Sequence, residues 1–337
     1  MRWFAANARP LPWRTGPRDP YRVWISEVMA QQTRIEVVVP YFERFVARFP
    51  TLKALAAADP DEVLALWSGL GYYARARNLW RAARAVEELP RTFAELGALP
   101  GFGPYTAAAV ASLAFGEQVA VVDGNVARVL ARLFALEGDA RARAWKIAPS
   151  LLVPGRAAEV NEALMELGAT ICKPRNPRCD DCPLARACAG RERPEAFGRP
   201  RPRPARLGLD WAALALRRSD GALLLARRGE RELFAGLWDL PSADADPGCS
   251  ARVAAGLVLR RHGFAAPARG FRPAPAGAIE QALTHRHITM RLFTARWRGP
   301  VPQHTRWVAP GALGRMGISS LAAKGVKLAL ARGDRSR

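Results

Sequence analysis

The sequence is poor in several kinds of feature, and each shortage excludes a class of protein. Its apolar runs fall far short of the ~20 residues that a membrane-spanning helix needs. The N-terminus has no charged start followed by an apolar stretch and a small-residue cleavage site, so no secretory signal is predicted. We therefore expect a soluble protein without membrane segments, in the cytoplasm or at the nucleoid if the source is bacterial.

Lysine is scarce, because only five of the 51 basic residues are lysine. Arginine-rich composition of this kind is typical of a GC-rich genome, and that bias explains the preference for arginine over lysine. It does not explain 51 basic residues against 30 acidic ones, a formal net charge of +21. The charge favours a polyanionic partner such as nucleic acid.

Cysteine is also scarce, and four of the five cysteines cluster in the spacing C-x6-C-x2-C-x5-C, at Cys172, Cys179, Cys182 and Cys188. A disulfide framework is not expected in a long chain without a signal peptide. Structural zinc sites usually show two close pairs, and only Cys179 and Cys182 form one here. Four thiolates can also hold one iron–sulfur cluster. Cys249 stands alone and is expected in a core.

Two regions with different patterns follow one another along the chain. Residues 1–190 read as helical, with apolar residues at helical spacing in Tyr21–Ala30, Val37–Phe49, Asp61–Trp67, Ala74–Glu88, Thr106–Ala114, Val126–Leu136 and Ala158–Leu167. A Pro/Arg-rich linker is predicted over 191–206. Residues 207–333 read as an α+β domain, with strands at Trp211–Arg217, Leu223–Arg227, Ile288–Trp297 and Thr305–Val308 and helices at Val253–Arg261 and Leu321–Ala331.

A glycine-containing turn, L-P-G-F-G at Leu99–Gly103, opens into one of these helices. The free N–H groups of such a turn, including those around Gly101 and Gly103, can bind a DNA phosphate directly or through a shared monovalent or divalent cation. An ordinary helix–turn–helix corner would have the same glycines, so the turn alone leaves both readings open.

Two carboxylates suit the cleavage of a glycosidic bond. Asp123 precedes the helix that begins near Val126, as an N-cap would, and a carboxylate there is expected to stay ionised. Glu27 has mostly apolar neighbours, which tend to raise the pKa of a carboxyl group and suit it to donate a proton at neutral pH. One acid can protonate the leaving group while the other offsets an oxocarbenium-like charge. A solvated surface glutamate remains the alternative for Glu27.

The chain resembles the MutY-type adenine DNA glycosylases, a branch of the helix–hairpin–helix glycosylase superfamily, over nearly its whole length. The segments that carry the resemblance are L-P-W-R (11–14), W-I-S-E-V-M-A-Q-Q-T (24–33), P-Y-F-E-R-F (40–45), W-S-G-L-G-Y-Y-A-R-A-R-N-L (67–79), V-D-G-N-V-A-R-V-L (122–130) and M-E-L-G-A-T-I-C (165–172). It implies a multidomain fold: an all-α helix–hairpin–helix glycosylase domain with a four-cysteine iron–sulfur loop over 172–188, then an α+β Nudix-like domain. Because the chain begins close to L-P-W-R, we expect only part of the family's usual first helix before it.

The resemblance also implies roles for individual residues. Glu27 matches the acid that protonates adenine and then assists water, and Asp123 matches the carboxylate that stabilises the sugar cation. Asn125 matches a residue hydrogen-bonded near the sugar and the catalytic acid. The other implied positions are the active-site Tyr105, the adenine-pocket residues Arg14 and Glu162, the base-stack residues Gln32, Leu70 and Tyr72, and a 4Fe–4S cluster on the four clustered cysteines.

Three further features of the sequence refine these expectations. Ala30 stands where many members have leucine and is too small to wedge between bases. Tyr105 stands where endonuclease III-type enzymes have a lysine, so we expect no covalent attack on the sugar. The segment G-L-W-D-L-P (236–241) resembles a Nudix fold, but no glutamate lies between Glu232 and Glu280, so nucleotide hydrolysis is not expected.

Thr284 and His285 match a Ser-His turn that contacts 8-oxoguanine in the family, although Leu283 replaces a phenylalanine there. For His285 and His287, a metal pair or two ordinary strand residues are the alternatives.

These observations predict a monofunctional glycosylase that removes adenine mispaired with 8-oxoguanine, or more weakly with guanine, in duplex DNA, and that acts as a monomer. An endonuclease III-like enzyme for oxidised pyrimidines, a non-enzymatic lesion binder and a nucleotide pyrophosphatase are the rival readings. Tyr105 and the extra domain oppose the first, the pair Glu27 and Asp123 opposes the second, and the missing glutamates oppose the third.

Overall fold

The computed structural model describes residues 1–199 and 204–333, so residues 200–203 of the predicted linker lie outside the described residues. Before Leu207 the described chain forms helices and turns but no strand. The helices are α1 (Arg2–Asn7), α2 (Pro20–Ala30), α3 (Ile35–Arg48), α4 (Leu52–Ala56), α5 (Pro60–Trp67), α6 (Ala74–Ala85), α7 (Phe93–Gly97), α8 (Pro104–Phe115), α9 (Gly124–Leu133), α10 (Ala140–Ile147) and α11 (Ala157–Thr170).

An aspartate followed by proline begins two of these helices, α2 and α5. Asp19 caps α2 by accepting a hydrogen bond from the Tyr21 amide at 2.9 Å, with Pro20 in the first helical position. Proline suits this position because its missing N–H would have no partner there. The apolar periodicity predicted seven of the helices with small shifts at their ends. It did not predict α1, α4, α7 and α10, which have only five to eight residues each.

The chain divides into two compact units, and the division is not a simple cut along the sequence. The first unit contains Met1–Ala57 and Asn78–Pro202, and the second contains Ala58–Arg77 and Arg203–Arg337. Helix α5 and the loop after it therefore belong to the second unit. Inside that unit, Asp61 accepts hydrogen bonds from Arg227 Nη2 at 2.9 Å and from Trp238 Nε1 at 3.1 Å, and Ser68 Oγ donates to the Ile318 carbonyl at 3.1 Å.

The second unit is built on a mixed seven-stranded sheet in the order β3-β2-β1-β6-β5, with β4 paired to β1 and β7 paired to β2. The strands β1 and β6 are parallel, and the other pairs are antiparallel. The strands are β1 (Leu207–Arg217), β2 (Leu223–Arg227), β3 (Trp238–Asp239), β4 (Ser242–Asp244), β5 (Ala274–Ala282), β6 (Arg286–Arg296) and β7 (Thr305–Val308).

One helix covers each face of this sheet. Alternate residues of β1 point to opposite faces, as the two-residue repeat of a strand requires. Ala213 shares a buried cluster with Leu321 of α13 (Ser320–Gly333), whereas Leu214 shares a different cluster with Val258 of α12 (Ala251–Arg261). Because both faces are covered, β1 is apolar almost throughout.

In the part of the chain that the structure describes, no helix combines the length and the apolar character that crossing a bilayer requires.

Candidate active site

Glu27 lies on α2 and is 7% exposed. Burial among apolar side chains raises the pKa of its carboxyl group from 4.5 to about 7. The charges of Asp123 and Glu162 also raise this pKa, while the hydrogen bond from Tyr105 and the charge of Arg14 lower it. The direction of this shift is the one that the apolar neighbours of Glu27 predicted, and it favours the protonated form of the carboxyl group more than exposure to water would.

Tyr105 is the second residue of α8, and its hydroxyl group donates a hydrogen bond to Oε2 of Glu27. Burial and the neighbouring charge of Glu27 raise the pKa of the Tyr105 phenol well above its usual value. The phenol therefore stays protonated and acts as a donor to the carboxyl group.

Asp123 is the N-cap of α9, as the sequence predicted. Its Oδ1 accepts a hydrogen bond from the Val126 amide at 2.7 Å, and its Oδ2 accepts one from Asn125 Nδ2 at 2.9 Å. Burial raises the pKa of Asp123, and these two donors oppose that shift. Bonds to the ionised form, rather than exposure to water at the helix terminus, are what favour the carboxylate.

One pocket brings three of the predicted residues together. Glu27, Arg14 and Glu162 line it together with Trp13, Arg18, Val23, Ser26, Leu113 and Met165. The carboxylate of Glu162 is held from two sides, because Arg14 Nε donates to Oε1 at 3.1 Å while Arg18 donates to both oxygens. The pocket thus combines one protonatable acid with a second acid that two arginines hold in place.

Arg18 is a pocket residue that the sequence reasoning missed. Glu166 was missed too. It is 1% exposed and belongs to the same ion-pair network, because it pairs with Arg9 at 2.5 Å and with Arg14 at 2.9 Å. The signal was present in the sequence, since Glu162 and Glu166 are four residues apart and so lie on one face of α11.

Two further arginines were missed, and both lie on α9. Arg128 Nη2 donates to Asn125 Oδ1 at 2.9 Å, and Arg128 Nε donates to the Cys172 carbonyl at 2.8 Å. Because Asn125 accepts from Arg128 through its oxygen, its amide nitrogen is directed to Asp123. Arg132 is 3% exposed, and its Nη1 lies 3.4 Å from Cys172 Sγ.

A buried asparagine supports the segment that leads into Asp123, and sequence reasoning missed it as well. Asn161 is 1% exposed and accepts from the Val121 amide at 3.0 Å. Its Nδ2 donates to Ser112 Oγ at 2.8 Å and to the Val119 carbonyl at 2.9 Å. This side chain gives the irregular backbone at 119–121 the hydrogen-bond partners that a strand or helix would otherwise supply.

The glycine turn lies between α7 and α8, so the predicted hairpin of helices is present. Gly101 has φ +80°, and a Cβ atom there would lie 2.5 Å from Asn78 Cβ, so only glycine fits. Phe102 is buried and stacks on Trp24 with ring centroids 5.4 Å apart, which fixes the turn to α2. Gly103 is the N-cap of α8 and has open space around it.

The four clustered cysteines line one pocket, and none of them forms a disulfide. Within the described ranges, no three or more His, Cys, Asp or Glu side chains form a group that could hold a metal ion as they stand. Arg132, Arg178 and Arg191 also line the pocket, and Arg178 and Arg191 pair there with Asp181 and Asp180. Burial raises the pKa of the Cys182 and Cys188 thiols. Four sulfur donors in one pocket nevertheless suit a metal group that is held by thiolates.

The predicted base-stack residues differ in their surroundings. Tyr72 is 43% exposed with φ +50°, and Gln32 is exposed with φ +56°, so both sit in tight turns. Leu70 is only 6% exposed, so it would have to leave its packing to enter a base stack. Tyr72 and Leu70 belong to the second unit, and Gln32 belongs to the first.

Thr284 and His285 form the turn between β5 and β6. The hydroxyl groups of Thr284 and Tyr72 are 2.7 Å apart, which brings together two residues that the sequence assigned to lesion recognition. His285 is exposed, and its carbonyl group accepts from the Leu207 amide at 2.9 Å. His287 Nε2 lies 3.6 Å from Glu280 Oε2.

Two family models match the chain. The model described as "HhH-GPD superfamily base excision DNA repair protein" matches residues 25–150, and a NUDIX domain model matches residues 212–328. The fold and the two matching models thus define a helix–hairpin–helix base-excision protein that carries a Nudix-like domain with a mixed sheet.

Individual relatives narrow this class. The adenine DNA glycosylase of Homo sapiens is 34% identical over a gapped alignment of 376 positions, which covers 93% of this chain and 68% of the relative. The chain belongs to the adenine DNA glycosylase family. Among solved structures, a thermostable thymine-DNA glycosylase is 30% identical with a TM-score of 0.52, covering 57% of this chain and 92% of that one. An endonuclease III in a non-covalent DNA complex is 26% identical with a TM-score of 0.50, covering 57% and 91%.

Proposed function

We propose that this chain is a monofunctional adenine DNA glycosylase that hydrolyses the N-glycosidic bond of adenine opposite 8-oxoguanine, or opposite guanine, in duplex DNA. The observation that carries the proposal is the buried Glu27 carboxyl group, whose pKa of about 7 lets it donate a proton at neutral pH. Membership of the adenine DNA glycosylase family supports the choice of base.

The chemistry is a proton transfer followed by the loss of adenine. The target nucleotide leaves the duplex, because its glycosidic bond cannot be reached inside the base stack. Protonated Glu27 gives its proton to N7 of adenine. The bond between C1′ and N9 then breaks, its electron pair goes to the base, and positive charge develops on the sugar.

Asp123 offsets that positive charge, and water completes the reaction. Its carboxylate is oriented by the Val126 amide and by Asn125. A water molecule adds its oxygen to C1′ and gives a proton to Glu27, which restores the acid. The products are free adenine and an abasic site.

Tyr105 distinguishes this proposal from a lyase mechanism. It holds the position at which a lysine would attack the sugar, and its phenol is committed to Glu27. Borohydride should therefore trap little covalent protein–DNA adduct, and efficient trapping would favour the endonuclease III-like alternative.

The Nudix-like domain is proposed to read the 8-oxoguanine through Thr284 and His285. Their turn is partly exposed, and the Thr284 hydroxyl group is 2.7 Å from that of Tyr72. Nucleotide hydrolysis is not proposed, because the segment from Leu233 to Ile279 contains no glutamate that could hold magnesium beside a pyrophosphate.

The four clustered cysteines are proposed to hold a 4Fe–4S cluster. They line a single pocket bordered by arginines, and when bound the cluster would keep the loop 172–188 in shape. Iron and sulfide analysis of the purified protein tests this, with Cys182→Ser as the variant and Cys249→Ser as the matched control. A colourless protein that carries zinc would overturn it.

The hairpin turn is proposed to grip the DNA backbone. Amides at Gly101 and Gly103 precede α8 and can bind a phosphate, directly or through a cation. This contact reads no sequence, which suits an enzyme that must search all of the DNA.

One assay tests the main proposal. The protein is incubated with a duplex containing adenine opposite 8-oxoguanine, and the product is split with alkali. Cleavage that requires alkali and is lost in Glu27→Gln supports the proposal, while Glu36→Gln, an exposed residue on α3, serves as the control. Cleavage without alkali indicates a lyase, and tight binding without product indicates a lesion binder.

A further inference from the structure

An exposed tyrosine in an unfavourable backbone conformation stands at the tip of the loop after α5. Tyr72 has φ +50°, and its side chain is 43% exposed. Non-glycine residues adopt this left-handed conformation only where the surroundings impose it. Gly69 and Gly71 on either side of Leu70 also have positive φ, so the loop turns sharply before it enters α6.

The carbonyl group of Gly71 is the point at which the loop is fastened. It accepts a hydrogen bond from Trp67 Nε1 at 3.1 Å and another from Arg75 Nη2 at 3.2 Å. Trp67 is fully buried, so the first of these bonds ties the loop to the core of its unit. The second bond comes from the side chain of Arg75, which is the second residue of α6.

The guanidinium group of Arg75 contacts two aromatic rings. Its central carbon lies 5.4 Å from the centroid of Trp67 and 5.3 Å from that of Tyr72. Both distances are within the range of a cation–π contact. Arg75 thus joins a buried, fixed ring to an exposed one, and burial lowers its pKa only to about 10, so it stays charged at neutral pH.

We propose that Arg75 is a positioning residue for base unstacking, and that it holds the ring and backbone of Tyr72 in the orientation needed to enter the DNA base stack. This inference rests on the proposed function, since it gives Arg75 a task in the same reaction. Without Arg75, Gly71 keeps one of its two donors and the Tyr72 ring loses its contact with the guanidinium group. The loop can then relax out of the left-handed conformation.

Unstacking can be measured separately from chemistry. A fluorescent 2-aminopurine is placed next to the 8-oxoguanine, and its brightness rises when its neighbour in the stack is displaced. The complexes are formed with Glu27→Gln protein, so that no adenine is excised during the measurement. We expect Arg75→Met and Arg75→Lys to lose most of this rise at saturating protein.

The lysine variant separates geometry from charge. Lysine keeps the positive charge but cannot form the planar contact between two rings or the same directed hydrogen bond. If Arg75 acted only through DNA phosphates, Lys would restore function and Met would reduce the slope of affinity against salt by about one. Failure of both variants, with an unchanged salt slope, is the result expected for positioning.

Two further variants complete the test in single-turnover excision. Arg75→Met should slow excision roughly tenfold, the size expected for a desolvated cation–π contact with its hydrogen bond. The control is Arg84→Met, because Arg84 lies on the same helix and 4.7 Å from the Trp80 ring, and it should excise at the wild-type rate. In a Tyr72→Ala background, Arg75→Met should slow excision less than about twofold further.

Folding and the proposed function are checked by the same series. Thermal melting shows whether each variant is folded, and the conservative lysine variant carries the test if the methionine variant is not. If the wild type excises no adenine, the proposed function fails, while the fluorescence still reports whether the Arg75 variants alter base unstacking. Suppose that the wild type excises adenine and that the Glu27→Gln protein brightens the probe. The positioning role alone is then overturned if the Arg75 variants give the same fluorescence and excision rate as their parent proteins. It is also overturned if the slowing by Arg75→Met multiplies with that of Tyr72→Ala.

Discussion

The hydrogen bond from Tyr105 to Glu27 has a measurable consequence for the pH dependence of excision. It stabilises the charged form of Glu27 and so lowers the pKa of that carboxyl group, which burial has raised to about 7. Excision by a protonated Glu27 should therefore decline as the pH rises through about 7. Removing the donor with Tyr105→Phe should move this decline to higher pH.

The size of the shift follows from the strength of the bond. A hydrogen bond to a charged group contributes about 1.5–3 kcal/mol, and one pKa unit corresponds to ~1.4 kcal/mol. The pKa of Glu27 should therefore rise by about one to two units in Tyr105→Phe, with the upper end reached only if no water replaces the hydroxyl group.

Single-turnover excision from a duplex with adenine opposite 8-oxoguanine, measured across the pH range, gives the midpoint of the decline. Tyr21→Phe is the matched control, since Tyr21 lies on the same helix as Glu27 but donates its hydroxyl hydrogen to the Phe49 carbonyl at 2.7 Å. The control should keep the wild-type midpoint. A midpoint that is unchanged or lower in Tyr105→Phe would refute the role assigned to this bond.

Three other changes have defined outcomes. Arg128→Gln should slow single-turnover excision by about tenfold or more without moving its pH midpoint, because Asn125 loses a charged donor; a wild-type rate would contradict this. Asn161→Ala should lower the free energy of unfolding in urea by about 2–3 kcal/mol, because the Val121 amide and its neighbours lose their partner; no change would show that the segment is supported in another way. Glu27→Gln should raise the free energy of unfolding at pH ~8 by up to ~3 kcal/mol. The protonated carboxyl group of Glu27 favours the folded state, and this contribution is complete below pH about 4.5 and is lost as the pH rises through about 7. Above pH about 7 the wild type holds a buried charge, which the neutral amide of glutamine removes. Equal stabilities of the two proteins at pH ~8 would refute the shift.

Local patterns in the sequence were sufficient for the two acids. The apolar neighbours of Glu27 predicted that this stretch of α2 is buried, and residues of other elements, among them Leu113 and Met165, complete the surroundings of its carboxyl group. Asp123 lies where a run of apolar residues stops before a helix, and that position alone predicts an N-cap. Both predictions depend only on residues that are adjacent in the chain.

Features that depend on distant packing could not be predicted. Arg128 and Arg132 read as the basic face of an exposed helix, and only the return of α11 and the cysteine loop buries them. The strand β5 contains proline and several glycine or alanine residues, which disfavour strands, and it forms because β6 supplies a partner along its whole length. The assignment of α5 to the second unit likewise depends on bonds from Asp61 to residues 166 and 177 positions away.

The interleaving of the two units limits how the chain can be shortened. A cut in the linker would keep α5 in the N-terminal fragment but remove the strand residues that donate hydrogen bonds to Asp61. It would also remove Gly317, which packs so closely on α5 that a Cβ atom there would lie 2.4 Å from Leu64 Cβ. Leu64 is 2% exposed in the intact chain, so its apolar surface and the carboxylate of Asp61 would both be uncovered. An isolated helical fragment should consequently be prone to self-association. Weak adenine excision by such a fragment would therefore result from its exposed apolar surface as much as from the loss of the Nudix-like domain.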